Sequence, residues 1–217
     1  MSILRATKAP NLINAPRVYE AGYYDQTYRE LRTYFNTLDN ATSALFGALG
    51  GDYLTFSYGS FYDTTDQTAV STTVAYAITL NTTDISQGVS IASSSQLTFA
   101  DAGVYNIQFS IQLSNQSNAP QDIDIWFRKN GTDIANSNSR FGLAARKGPS
   151  DPFHIVAALN FLVTVQALDY IQLMWNTTSV DARIEHYVAG TSPTRPAVPS
   201  VILTATRVSD VVSSIYA

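Results

Sequence analysis

The sequence contains no cysteine. Disulfides, zinc–thiolate sites and thiol catalysis are thereby excluded, while the compartment stays open. Charge is also scarce: Asp, Glu, Lys and Arg make up 14% of the 217 residues, and glutamate occurs three times, as Glu20, Glu30 and Glu185. Only two histidines exist, His154 and His186, so a two-histidine metal centre would need both. No apolar run reaches transmembrane length, and the N-terminus MSILR lacks the apolar stretch of a signal peptide. Neither membrane insertion nor export by the general secretory route is expected. A net charge of −4 and a pI of 5.0 argue against a nucleic-acid partner.

What is present is a chain with 45% hydrophobic residues, enough to bury a core, and long enough for one sizeable domain plus an appendage. Ser, Thr, Asn and Gln fill the positions that alternate with apolar ones. Uncharged polar faces of this kind suit rigid extracellular or virion shells.

The strongest pattern is residues 104–113, VYNIQFSIQL. Tyr105, Ile107, Phe109, Ile111 and Leu113 fall on one face, and Asn106, Gln108, Ser110 and Gln112 on the other. Strict period-two alternation predicts a strand with one wet side and one core side. These five apolar residues are the expected core strand of a head domain spanning residues 52–217.

Two other segments precede the head. Residues 1–22 read as an extended arm, punctuated by Pro10 and Pro16, with Leu12, Ile13, Val18 and Tyr19 in no period. The arm is either a disordered tail or a segment that docks on a partner through those four residues. Residues 23–51 change period. Tyr28, Leu31, Phe35, Leu38, Thr42, Leu45 and Leu49 are spaced 3, 4, 3, 4, 3, 4, which predicts a heptad helix with Asp25 at its N-cap and Gly47, Gly50 and Gly51 at its end. The stripe either packs on its own domain or pairs with copies of itself. Self-association is preferred, because nothing else in the chain reads as helix.

From residue 53 onward the chain reads as strands. They are expected at 53–58, 74–80, 89–91, 97–99, 104–113, 122–128, 159–165, 171–175, 182–188 and 201–205. Asn130-Gly131 marks a hairpin turn, and 140–151 and 191–199 read as loops. About ten strands without intervening helices predict a mainly β fold, an antiparallel sandwich or jelly roll.

Four pieces of the head together resemble the globular head of complement component one q and the tumour necrosis factor family. They are GVYNI (103–107), IWFRKNG (125–131), VQALDYIQL (165–173) and SVILTA (200–205). The family usually has a glycine before the aspartate of the third piece, where Leu168 stands here. The stretch YDQTYRELRTYFNTLD (24–39) looks like the leading segment of tailed-bacteriophage virion proteins that carry such heads. The resemblance implies a homotrimeric, ten-stranded jelly roll attached to a phage particle, whether at capsid or tail.

Catalytic chemistry is not evident. His186 shares a face with Ile184 and Val188 and reads as a core or interface histidine. Asp122 and Asp124 lie on one strand face and could hold a cation with Asp169, or form a solvated acidic face. No serine motif with histidine and acid support stands out. No catalytic, cofactor-binding or metal residue is therefore assigned. The expectation is a virion structural protein with itself and other virion proteins as partners. The alternative is a module that binds host-surface glycan or protein through loops 140–152 and 189–199.

Overall fold

The structure, a computed structural model, describes Pro10 and residues 17–46 and 56–209, the side chains of 41–46 excepted. The chain divides into two units, 1–55 and 56–217. The first holds helix α1 (Ala21–Phe46). Its first turn is closed by the Glu20 carbonyl, which accepts from the amides of Tyr23 and Tyr24. The helix therefore starts four residues before the expected cap at Asp25, and residues 21 and 22 belong to it rather than to the arm. Threonines, poor helix formers, are accommodated by bonding back to the preceding turn: Thr33 Oγ1 donates to the Arg29 carbonyl and Thr37 Oγ1 to that of Thr33.

Among the described residues of the second unit every regular element is a strand. In chain order these are β1 (Tyr58–Asp63), β2 (Tyr76–Ala77), β3 (Thr82–Gln87), β4 (Val89–Ala92), β5 (Gln96–Phe99), β6 (Gly103–Asn115), β7 (Gln121–Lys129), β8 (Thr132–Asp133), β9 (Ser139–Leu143), β10 (Phe153–Val165), β11 (Tyr170–Thr177), β12 (Ala182–Ile184), β13 (Gly190–Thr191), β14 (Thr194–Arg195) and β15 (Val201–Ser209). One sheet runs β10-β6-β15-β1-β3, with β12 continuing beside β6 beyond the end of β15. The other runs β4-β5-β11-β7-β8, with β2 also on β11 and β9 also on β7. All pairings between these strands are antiparallel.

The sheets pack face to face. Tyr105, Ile107, Phe109, Ile111 and Leu113 of β6 are all buried, as are Ile123, Ile125 and Phe127 of β7. The two layers meet through aromatic rings, Phe99 on Tyr105 at 4.5 Å between centroids and Phe127 on both Phe109 and Phe161. The turn between β7 and β8 is Asn130-Gly131, both with positive φ, the geometry a two-residue hairpin demands.

Several elements differ from expectation. The first strand is Tyr58–Asp63 rather than 53–58, of which 53–55 lie outside the described residues. β3, TTDISQ, gave no strand signal because it is an edge strand exposed along almost its whole length, so neither face needs apolar residues. β9 takes up the first four residues of the expected 140–151 loop. β10 begins six residues earlier than its alternation suggested. The expected 182–188 strand stops at Ile184, and Val188 is 75% exposed.

Candidate functional site

The two outer faces of the head are built from different chemistry. On the first sheet, the outward side chains of β6 are Val104, Asn106, Gln108, Ser110, Gln112 and Ser114. Beside them β10 presents His154, Val156, Ala158, Asn160, Leu162 and Thr164, and β15 presents Ile202, Thr204 and Thr206. His154, at one end, is the sole titratable group among these. Val156, Leu162 and Ile202 are 50%, 61% and 40% exposed. A second apolar strip lies along the sandwich edge. Ile155 and Leu159 project to the core side of β10, yet both are more than a third exposed. The short β9 opposite does not cover the thirteen residues of β10.

On the second sheet the outward residues of β7 are Asp122, Asp124, Trp126 and Arg128. Arg140 of β9 forks onto Asp124, with Nε and Nη2 donating at 2.9 and 3.0 Å. Arg128 Nε donates to Asp133 Oδ1 at 2.7 Å, and the Trp126 indole N–H donates to the same oxygen at 2.8 Å. Those bonds hold the Asp133 carboxyl below the usual carboxylate range and raise the Arg128 guanidinium.

A polar network at one end of the first sheet joins the alternating Arg183, Glu185 and Tyr187 to Ser114 and His154 from distant segments, a meeting with no sequence signal. Glu185 Oε1 accepts from Arg183 at 2.6 Å and its Oε2 from the Tyr187 hydroxyl at 3.0 Å. The same hydroxyl lies 2.6 Å from His154 Nδ1. Burial pushes the Glu185 carboxyl up, but Ser114, Arg183 and Tyr187 together outweigh it and the net shift is downward. Burial, reinforced by Glu185, pushes the Tyr187 phenol well up, so it stays protonated.

The residues singled out in the sequence fall as follows. Asp169 is not brought to Asp122 and Asp124. It sits at the turn before β11, against Lys129 Nζ at 2.8 Å and the Asn130 amide at 2.7 Å. Lys129 is five residues along β7 from Asp124, about 17 Å. The strand repeat that places Asp122 beside Asp124 carries Asp169 to the opposite end, so a three-aspartate cation site is ruled out. His186 lies beyond β12, and its backbone N–H donates to Asp66 Oδ1; it does not share a strand face with Ile184 and Val188. Among the described residues no group of three or more His, Asp and Glu is placed to hold a metal ion. A groove of about 380 Å³ lined by Leu80, Asn81, Thr82, Thr83, Ile91 and Ser94 offers hydroxyls but no titratable group. On α1, Tyr28 and Phe35 are exposed and Leu31 and Leu38 half-buried. Leu45 is helical, with its side chain outside the description, and Leu49 lies beyond the described residues. In the arm, Val18 and Tyr19 are about three-quarters exposed, while Leu12 and Ile13 are outside the described residues.

Compared with known proteins, the chain matches no family model and no curated protein.

Proposed function

We propose that this chain is a non-enzymatic structural protein of a phage virion, a homotrimer whose arm and helix hold it to the particle, at capsid or tail, while the head is displayed. The head is read as a jelly roll whose two sheets, of six and seven strands, extend the expected ten. Supporting this, the chain passes back and forth between two antiparallel sheets, and the first described strand of the unit lies beside the last described one, Asp63 opposite Val201.

The observation that carries the assembly reading is the outer face of the first sheet, uncharged along β6, β10 and β15 apart from the end where His154, Arg183 and Glu185 meet, with Val156, Leu162 and Ile202 exposed. A monomer gains nothing by leaving most of such a face without charge, whereas an obligate interface is apolar and poor in charge. The uncovered edge at Ile155 and Leu159 is a second, different apolar surface on the same copy. A contact of edge against face joins unlike patches head to tail, and such a contact closes into a ring when its rotation permits. Three copies around one axis is the closure this reading takes. On α1, Tyr28 and Phe35 stand exposed on the predicted seam, as partners of other copies would require.

Multi-angle light scattering at micromolar concentration should give a trimer, and Val156→Asp with Leu162→Asp should give a folded monomer. A monomeric unmodified chain would overturn the proposal. The second reading, a module that binds host surfaces, is favoured by one observation, the aromatic and charged outer face of the second sheet.

A further inference from the structure

We propose that a saccharide-binding site is built around Trp126 on the outer face of the second sheet. It rests on the reading that this face is the displayed one. The edge of the sheet is interrupted there. β8 flanks β7 only at Arg128 and Lys129, and β9 only from Gln121 to Ile125. Trp126 points outward between the two, where no edge strand runs beside it.

The ring is fixed before any ligand arrives. Its Nε1–H is tied to Asp133, which Arg128 holds in turn. On the other flank the Arg140 fork holds Asp124. A half-buried indole is thus bracketed by two guanidinium–carboxylate pairs, each immobilised by its own partner. Side chains already ordered lose less entropy when a ligand binds.

The ligand class follows from the charges and shapes. The two carboxylates and two guanidiniums that bracket the ring cancel, and Asp122, further along the same row, adds a single negative charge beyond Asp124, so the notch does not select an anion. It offers one aromatic surface, suited to apolar C–H groups, and fork-shaped donors and acceptors around it. A neutral pyranose has that complement, a face of C–H groups and pairs of adjacent hydroxyls at its rim. Arg140 and Asp133 retain the accessibility to reach those hydroxyls, their side chains being 65% and 53% exposed.

The test titrates the intact chain with neutral oligosaccharides of glucose, galactose and mannose, followed by calorimetry and intrinsic fluorescence. Of the two tryptophans, Trp175 is 1% exposed, so a fluorescence change reports Trp126. The expected result is saturable binding of at least one sugar, lost in Trp126→Ala and weakened about tenfold or more in Arg140→Ala. Trp126→Phe keeps a ring should the alanine variant fail to fold, and calorimetry should show weakened binding. Absence of binding up to about 10 mM sugar, or unchanged affinity in the Trp126→Phe and Arg140→Ala variants, would overturn the site. Light scattering on the same samples separates the two proposals. A trimer that binds no sugar refutes only the site, and a monomer that binds sugar refutes only the assembly.

Discussion

Leu168 occupies the third position of the Gln166–Asp169 turn, closed by the Asp169 amide donating to the Gln166 carbonyl. Its φ is +70° and its side chain is 84% exposed. A leucine in the left-handed region is strained by about 1–2 kcal/mol, and nothing in the core holds this one there. Leu168→Gly should therefore raise stability by up to about 1 kcal/mol, after allowing for the looser unfolded chain of a glycine. Chemical denaturation measures this, and a clear loss of stability would show that the leucine makes contacts in the assembly. Glu185 gives a second residue-scale expectation. Its folded pKa lies below its ordinary 4.5. Its contribution to stability is complete above that value and is lost as pH falls through the lower folded one. Glu185→Gln should flatten the acid limb of the stability profile, as read by thermal melts between about pH 3 and 6. An unchanged slope would assign acid sensitivity elsewhere, with Asp169, also shifted down, the next group to replace.

At the scale of elements, legibility followed burial. β6, β7, β11 and β15 each have one face buried and one wet, so their alternation was plain in the letters. β3 carries no such signature because it has water on both sides. β9, SRFGL, sits between two stretches rich in polar and charged residues. The Trp126 face was half legible, since Asp122, Asp124, Trp126 and Arg128 alternate with Ile123, Ile125 and Phe127. Arg140 and Asp133 had to be brought to it by pairing. The Glu185 network was not legible at all, because Ser114, His154 and Glu185 come from three strands or loops with nothing in their spacing to link them. For α1 the heptad spacing yields a direct test. Replacing Leu31 and Leu38 together by Asp should weaken assembly or particle attachment while leaving the head folded, because a carboxylate on a buried seam costs several kcal/mol. Light scattering and circular dichroism distinguish this from a helix that serves only its own chain, in which case assembly would be unaltered.

At the scale of the whole molecule, the proposed division of labour assigns attachment to the leading segment. A chain beginning at Arg17 keeps all of α1 and the head and should still assemble. In a complementation experiment it should fail to join particles, since Leu12 and Ile13 are gone and the remaining apolar pair, Val18 and Tyr19, is short. Normal incorporation would place attachment in the helix or the head. The order of strands also has a consequence for how the molecule is made. β15 is the last described strand, yet it lies between β6 and β1, at the centre of its sheet. Until residues 201–209 leave the ribosome, β6 has an open side along most of its length and β1 has only β3. The head therefore cannot close until β15 has been made, and β6, paired along its length with β10 alone, keeps its other side open until then. Such long-range closure is slow and exposes the nascent chain to misassociation. Closure of the head, and any meeting of subunits through its first sheet, then both wait on β15.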